Sequence, residues 1–228
     1  MKLFNLLINI SAFSPLITFA VYLYGRTFNS TIINILVGLS GLALCSDMIS
    51  KYNMSVGKEN LHILDIYVSA NLVLAIILYY KIYLQYRRVY EILCTIFLPG
   101  VAFCYTIFWR EASGGQNINW TICTIIIEVM AIGHFYELCK KPVENISRQP
   151  LYWISFGFFF YSSISIMIFS LHKYLLNNFQ LELSIYAWTL HNVMNIVKNV
   201  CFGVAIWFAS DRRLQNSFQS AFKSSNQL

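Results

Sequence analysis

The chain has 228 residues, of which 57% are apolar and only 11% charged. Water-facing domains carry roughly 25% charged residues, so lipid has to cover much of this protein's exterior. The net charge of +6 would suit nucleic acid, but the Lys and Arg residues stand in short clusters between apolar runs. That pattern belongs to membrane topology, so the first partner expected is the lipid bilayer and no nucleic acid is expected.

Seven apolar runs follow one another, over residues 3–24, 32–50, 61–84, 90–109, 120–139, 150–171 and 186–209. At 1.5 Å per residue each can cross a hydrocarbon core of about 30 Å as a helix. Helices are required because lipid gives backbone amides no partners. The predicted fold is therefore all-α, one polytopic seven-helix bundle over residues 1–209 followed by a polar tail, 210–228. The first run reads as a span and not as a cleaved signal peptide. It continues through Val21 and Tyr24 with no small-x-small cleavage pattern.

Between the runs lie a polar hinge at 51–60, the basic cluster at 85–88, a Gly-rich loop at 110–119 and a polar connection at 140–149. The basic residues fix a sidedness. Arg26, Lys81, Arg87, Arg88, Lys140, Lys141, Arg148, Arg212, Arg213 and Lys223 fall on one side, against Lys2, Lys51, Lys58, Arg110 and Lys173 on the other. The richer side is the cytoplasm, which puts the N-terminus outside and the C-terminus inside. Tyr24, Trp109, Trp120, Tyr152, Trp153, Trp188 and Trp207 stand at run ends, where interfacial anchors are expected. The cysteines, Cys45, Cys94, Cys104, Cys123, Cys139 and Cys201, fall in or beside apolar runs and form no C-x-x-C pair. They read as free thiols acting as small apolar side chains.

Ionisable and amide side chains inside the runs are the functional candidates, because burying them in lipid is costly. The seventh run holds the densest set: His191, Asn192, Asn195, Lys198 and Asn199. His191, Asn195 and Lys198, at i, i+4 and i+7, share one helix face. Lys198 lies near mid-membrane, and Glu128 in the fifth run stands at similar depth as its expected ion-pair partner. Asp47, Asp65 and Asn71, with Tyr67 between the last two, lie toward the outer side, and His134 and Glu137 near the inner end of the fifth run. Glu137 reads as an interfacial carboxylate beside Lys140 and Lys141. The expected ligand-binding or proton-handling set is Asp47, Asp65, Asn71, Glu128, His191, Asn195 and Lys198. The competing reading of the same residues is interhelical hydrogen-bond glue. In the sixth run Ser155, Ser162 and Ser165 fall near one face and permit close helix approach.

Two segments carry a resemblance. "QPLYWISFGFFFYSS" (residues 149–163) has a proline and then aromatic residues at the start of a Ser/Gly-rich helix. "WTLHNVMNIVKNVCFGVAIW" (residues 188–207) is a His/Asn-rich last helix with an N-I-x-K-N core. Here the chain resembles small bacterial seven-helix membrane proteins of unknown function, and Asp47 and Glu128 fit that pattern. The resemblance implies a sensor-like module of the bacterial inner membrane that accompanies a sensor histidine kinase.

The function expected is therefore a receptor-like sensor that binds a small ligand in a polar pocket and signals through a partner, with no catalytic residue assigned. An intramembrane lipid-modifying enzyme of the zinc type is an alternative. However, His62, His134, His172 and His191 are dispersed and lack metal-ligand spacing, so no metal is expected. A retinal-type photoreceptor with a Schiff base on Lys198 is another alternative, and retinal the one cofactor considered. Against it, Met194 stands four residues before Lys198, where microbial rhodopsins place an acid. A small transporter is the last alternative, without an inverted repeat or broken helix pair in the sequence to support it.

Overall fold

The computed structural model describes residues 2–25, 30–58, 61–82, 115–140, 145–178 and 181–210. Among them every regular element is helical: α1 (Lys2–Phe13), α2 (Pro15–Gly25), α3 (Thr31–Ser55), α4 (Leu61–Ile82), α5 (Gly115–Lys140), α6 (Pro150–Asn178) and α7 (Leu181–Ser210), with a single 3-10 turn at Ile146–Arg148. Six segments are long and apolar enough to cross a membrane: Leu6–Gly25, Thr31–Asn53, His62–Ile82, Asn119–Leu138, Pro150–Leu171 and Ile185–Ser210. The expected fourth run, 90–109, and the tail lie outside the described residues.

The exterior confirms what composition requires. Leu23, Ile66 and Val129 are each more than 60% exposed, an outward apolar surface suited to hydrocarbon. Tyr24 and Trp207 stack at 5.8 Å on the exposed outside of the bundle. Trp120 departs from the expectation of an interfacial anchor. It is 1% exposed, because its indole N–H donates to a buried carboxylate and its ring packs edge-on against Phe169 at 5.4 Å. Trp188 also turns inward, onto Phe169 and His191.

The first run is broken. Pro15 has no N–H, so the helix cannot continue through it without losing a bond. Chain direction changes at Ser14, whose N–H and hydroxyl both turn back to the Ser11 carbonyl, at 3.1 and 2.7 Å. Helix α3 runs five residues into the predicted hinge. It ends at Gly57, where φ is +68° and the Lys58 N–H bonds back to the Asn53 carbonyl at 2.9 Å. That left-handed position favours glycine. Helix α5 likewise begins inside the predicted Gly-rich loop, at Gly115.

Helix α7 is the hub, packing on α6 most extensively and also on α1, α2 and α3, while α3 pairs with α4 and α5 with α4 and α6. The α6–α7 approach is close at Gly157, where a Cβ would stand 3.0 Å from Cys201 Cβ and 3.3 Å from the Lys198 carbonyl oxygen. Ser155, Ser162 and Ser165 are all fully buried on α6, so the small-residue face predicted for this helix is where its neighbours pack. Helices α4 and α5 run parallel. Asp65 meets Trp120 near the start of both, and Tyr79 meets His134 near the end of both.

Candidate functional site

The polar residues of α7 divide between two neighbours. His191 and Lys198 face α4 and α6. Asn195 and Asn199 face α1 and α2, donating to Ser11 Oγ at 3.0 Å and to Ser14 Oγ at 2.7 Å. Their spacing places all four within one broad sector of the helix, but that sector is shared by helices on both sides.

Lys198 is 3% exposed. Its ammonium lies 3.9 Å from the centroid of the Tyr161 ring and donates to the Tyr67 hydroxyl at 3.4 Å. The ring's negative face substitutes in part for the lost water shell. Tyr67 on α4 and Tyr161 on α6 thus share the Lys198 ammonium between them. Ser165 Oγ lies 3.2 Å from His191 Nδ1 and donates to the Tyr161 carbonyl at 2.7 Å. The His191 ring is walled by Tyr161, Phe169 and Trp188, with centroids 5.2 to 5.6 Å away. Lys198 thus contacts Tyr67 and the Tyr161 ring, and Ser165 links the Tyr161 backbone to His191. These contacts join α4, α6 and α7.

Asp47, a half-buried carboxyl on α3, lies within electrostatic range of Lys198 and Lys51, but forms no direct ion pair with Lys198. The expected Glu128–Lys198 pair does not form either. Glu128 Oε1 accepts from the Ser163 hydroxyl at 2.7 Å, on the α5–α6 seam, and its second oxygen has no partner among the described residues. The two residues match in depth, but depth along a bundle says nothing about which way a helix face is turned.

The remaining expected ligand residues, Asp65 and Asn71, are on α4. Asp65, 1% exposed, accepts from the Trp120 indole at 2.5 Å. Asn71 is buried on α4. Glu137 pairs with Lys140 at 3.5 Å, as expected of an interfacial carboxylate, and Lys141 lies outside the described residues. A second buried cluster occupies the other end of the bundle. Ser155 Oγ lies 2.7 Å from His134 Nδ1 and 3.1 Å from the Tyr79 hydroxyl. All three side chains are buried, and together they tie α4, α5 and α6. A serine beside a histidine has the composition of a nucleophilic pair. Ser155 is fully enclosed and shared by two partners, which is the arrangement of interhelical glue.

Tyr161 and Ser165 carry much of the Lys198 environment, and the sequence did not single out Tyr161. A Tyr four residues before a Ser on a helix that packs against a buried Lys is the available signal. It was masked by the aromatic run around it. Among the described residues no three His, Cys, Asp or Glu side chains converge as metal ligands. The cysteines described there, Cys45, Cys123 and Cys201, are free thiols, the last two buried.

Comparison with family models, curated proteins and solved structures finds no match to this chain.

Proposed function

We propose that the chain is a receptor-like sensor of the bacterial inner membrane, with the layer formed by Asp47, Tyr67, Tyr161, His191 and Lys198 as its ligand-responsive site. The observation that carries this reading is the state of Lys198. It is a buried ammonium held by a tyrosine ring and a hydroxyl, with no ion-paired acid among the described residues. A charge left in that condition inside a membrane bundle is expensive and marks a functional position. An anionic group on a ligand would complete its coordination. The resulting shift of α7 against α6 would pass to a cytoplasmic partner, a sensor histidine kinase in this reading.

The topology belongs to the same proposal. Ile82 ends α4 at the opposite end of the bundle from Gly115, which opens α5. This supports a seventh crossing by the run 90–109, and the Lys and Arg bias places the N-terminus outside and the C-terminus in the cytoplasm in this reading. Cysteine labelling from each side of the membrane tests the orientation. The sensor reading is tested by screening small carboxylates for a thermal shift of the purified protein. A shift present in wild type and lost in folded Lys198→Met and Asp47→Asn variants supports it. No shift across the panel, with no kinase recovered in pull-downs, counts against it.

A second reading rests on the electrostatic proximity of Asp47 and Lys198. Asp47 would serve as counter-ion to a protonated imine, although it comes from α3 and not from the position four residues before the lysine. Under this reading Lys198 condenses with an aldehyde such as retinal, releasing water. A preparation that stays colourless after retinal addition disposes of it.

A further inference from the structure

The other side of α7 holds a polar locus that the Lys198 layer does not use. At the Ser14–Pro15 break the Ser14 hydroxyl donates to the Ser11 carbonyl at 2.7 Å. Its single proton is therefore spent, and toward Asn199 its oxygen can only accept. This fixes the Asn199 amide with Nδ2 toward Ser14, at 2.7 Å, and Oδ1 turned away. Asn195, one turn earlier on the same face, presents its Nδ2 to Ser11 Oγ at 3.0 Å. The Asn195 and Asn199 side-chain oxygens are both buried and have no hydrogen-bond partner among the described residues. Asn199 is fully enclosed and Asn195 is 9% exposed.

The hydrogen bonds at this place engage one amide N–H of each Asn and leave both amide oxygens without a donor among the described residues. Two amide oxygens one helical turn apart remain, next to the Ser11 hydroxyl and a helix break. Buried acceptors of this kind are costly unless a donor or a cation satisfies them. Neutral oxygens beside an interrupted membrane helix are a favourable setting for a hard monovalent ion. No carboxylate stands among them, which disfavours a divalent ion. The nearest formal charge on α7 is Lys198, and its ammonium is held away at Tyr67 and Tyr161, on α4 and α6.

We propose that the α1–α2 break and the facing surface of α7 form a binding site for a small alkali cation of the sodium class, with Asn195 Oδ1, Asn199 Oδ1 and Ser11 Oγ as ligands. This site is separate from the Lys198 layer and does not depend on the sensor reading. The test is the melting temperature of the purified full chain in NaCl, LiCl, KCl and choline chloride at matched ionic strength, together with retention of radioactive sodium. The expected result is saturable stabilisation by sodium over choline. Asn199→Asp shifts the sodium midpoint roughly tenfold lower, because a charged oxygen replaces a neutral one, and Asn199→Leu abolishes the dependence. Identical melting in all four salts with no sodium retained overturns the proposal and assigns the oxygens to water. An unchanged midpoint in Asn199→Asp, or stabilisation by potassium alone, overturns it too. If Asn199→Leu does not fold, the wild-type measurements decide.

Discussion

Lys198 places its ammonium 3.9 Å from the centre of the Tyr161 ring, with no carboxylate paired to it among the described residues, at the junction of α4, α6 and α7. The two residues are therefore unequal in what their loss should cost. Lys198→Met removes a buried charge and keeps its apolar stem, so stability should hold or rise, by about 1 to 2 kcal/mol. Tyr161→Leu leaves the charge without its ring and should cost about 3 kcal/mol. In the Lys198→Met background the same Tyr161 change should cost clearly less. Reversible unfolding in detergent and denaturant measures all three. Equal Tyr161→Leu costs in both backgrounds would show that the ring does not serve the ammonium.

The α6–α7 seam makes a prediction about glycine. A Cβ on Gly157 meets the Cβ of Cys201 at 3.0 Å and backbone atoms of Lys198, which cannot rotate away. Gly157→Ala should destabilise by about 1 to 3 kcal/mol through overpacking. Gly38→Ala meets nothing within 4 Å and should be neutral or stabilising by up to about 1 kcal/mol, as expected of a helical Gly. Comparing the two melting temperatures checks the contrast.

At the opposite end, Ser155 serves His134 and Tyr79 together. Ser155→Ala should cost about 1 to 2 kcal/mol. Because the three groups act as one network, the Ser155→Ala and His134→Phe costs should fall short of additivity in the double variant. A double-mutant cycle measures the coupling. An additive result would dissolve the network.

Lys140, just beyond the end of its span, has a pKa raised above the usual lysine value, first by its hydrogen bond to the Tyr136 hydroxyl and then by the charge of Glu137. A group whose pKa is higher in the folded state stabilises below its unfolded value and loses that contribution as pH rises through the folded one. The melting difference between wild type and Lys140→Met should thus stay flat through neutral pH. It should shrink only in strongly alkaline solution, above the ordinary lysine value of 10.5. The pair is exposed, so the flat difference should be small.

Hydropathy located the spans because lipid imposes the same demand on every outward residue. The runs at 32–50, 61–84, 120–139, 150–171 and 186–209 each fall within or nearly within an observed helix. It could not reveal the break at Ser14–Pro15, since a window average is blind to one missing N–H. It also read the α7 residues as one stripe. His191, Asn195 and Lys198 do share a sector, but the neighbours across it differ, and only packing decides which neighbour each one meets. The Glu128–Lys198 expectation failed for the same reason. The Ser163 hydroxyl offered Glu128 a nearer partner, and nothing in the spacing of α5 and α7 gives their rotation.

The parallel course of α4 and α5 bears on how the protein is made. Helices that enter a membrane as neighbouring hairpins can zip together as they emerge, but a parallel pair has no hairpin to close. The Asp65–Trp120 bond spans 55 positions of chain, and the Tyr79–Ser155 contact spans 76. The Asp65–Trp120 end therefore closes only after α5 is inserted, and the Tyr79 end is tied to Ser155 only once α6 has arrived. A defect at Trp120 or Ser155 would leave every helix correctly threaded and the bundle unassembled. It would show as clearance by quality-control proteases while the topology reporters still read normal.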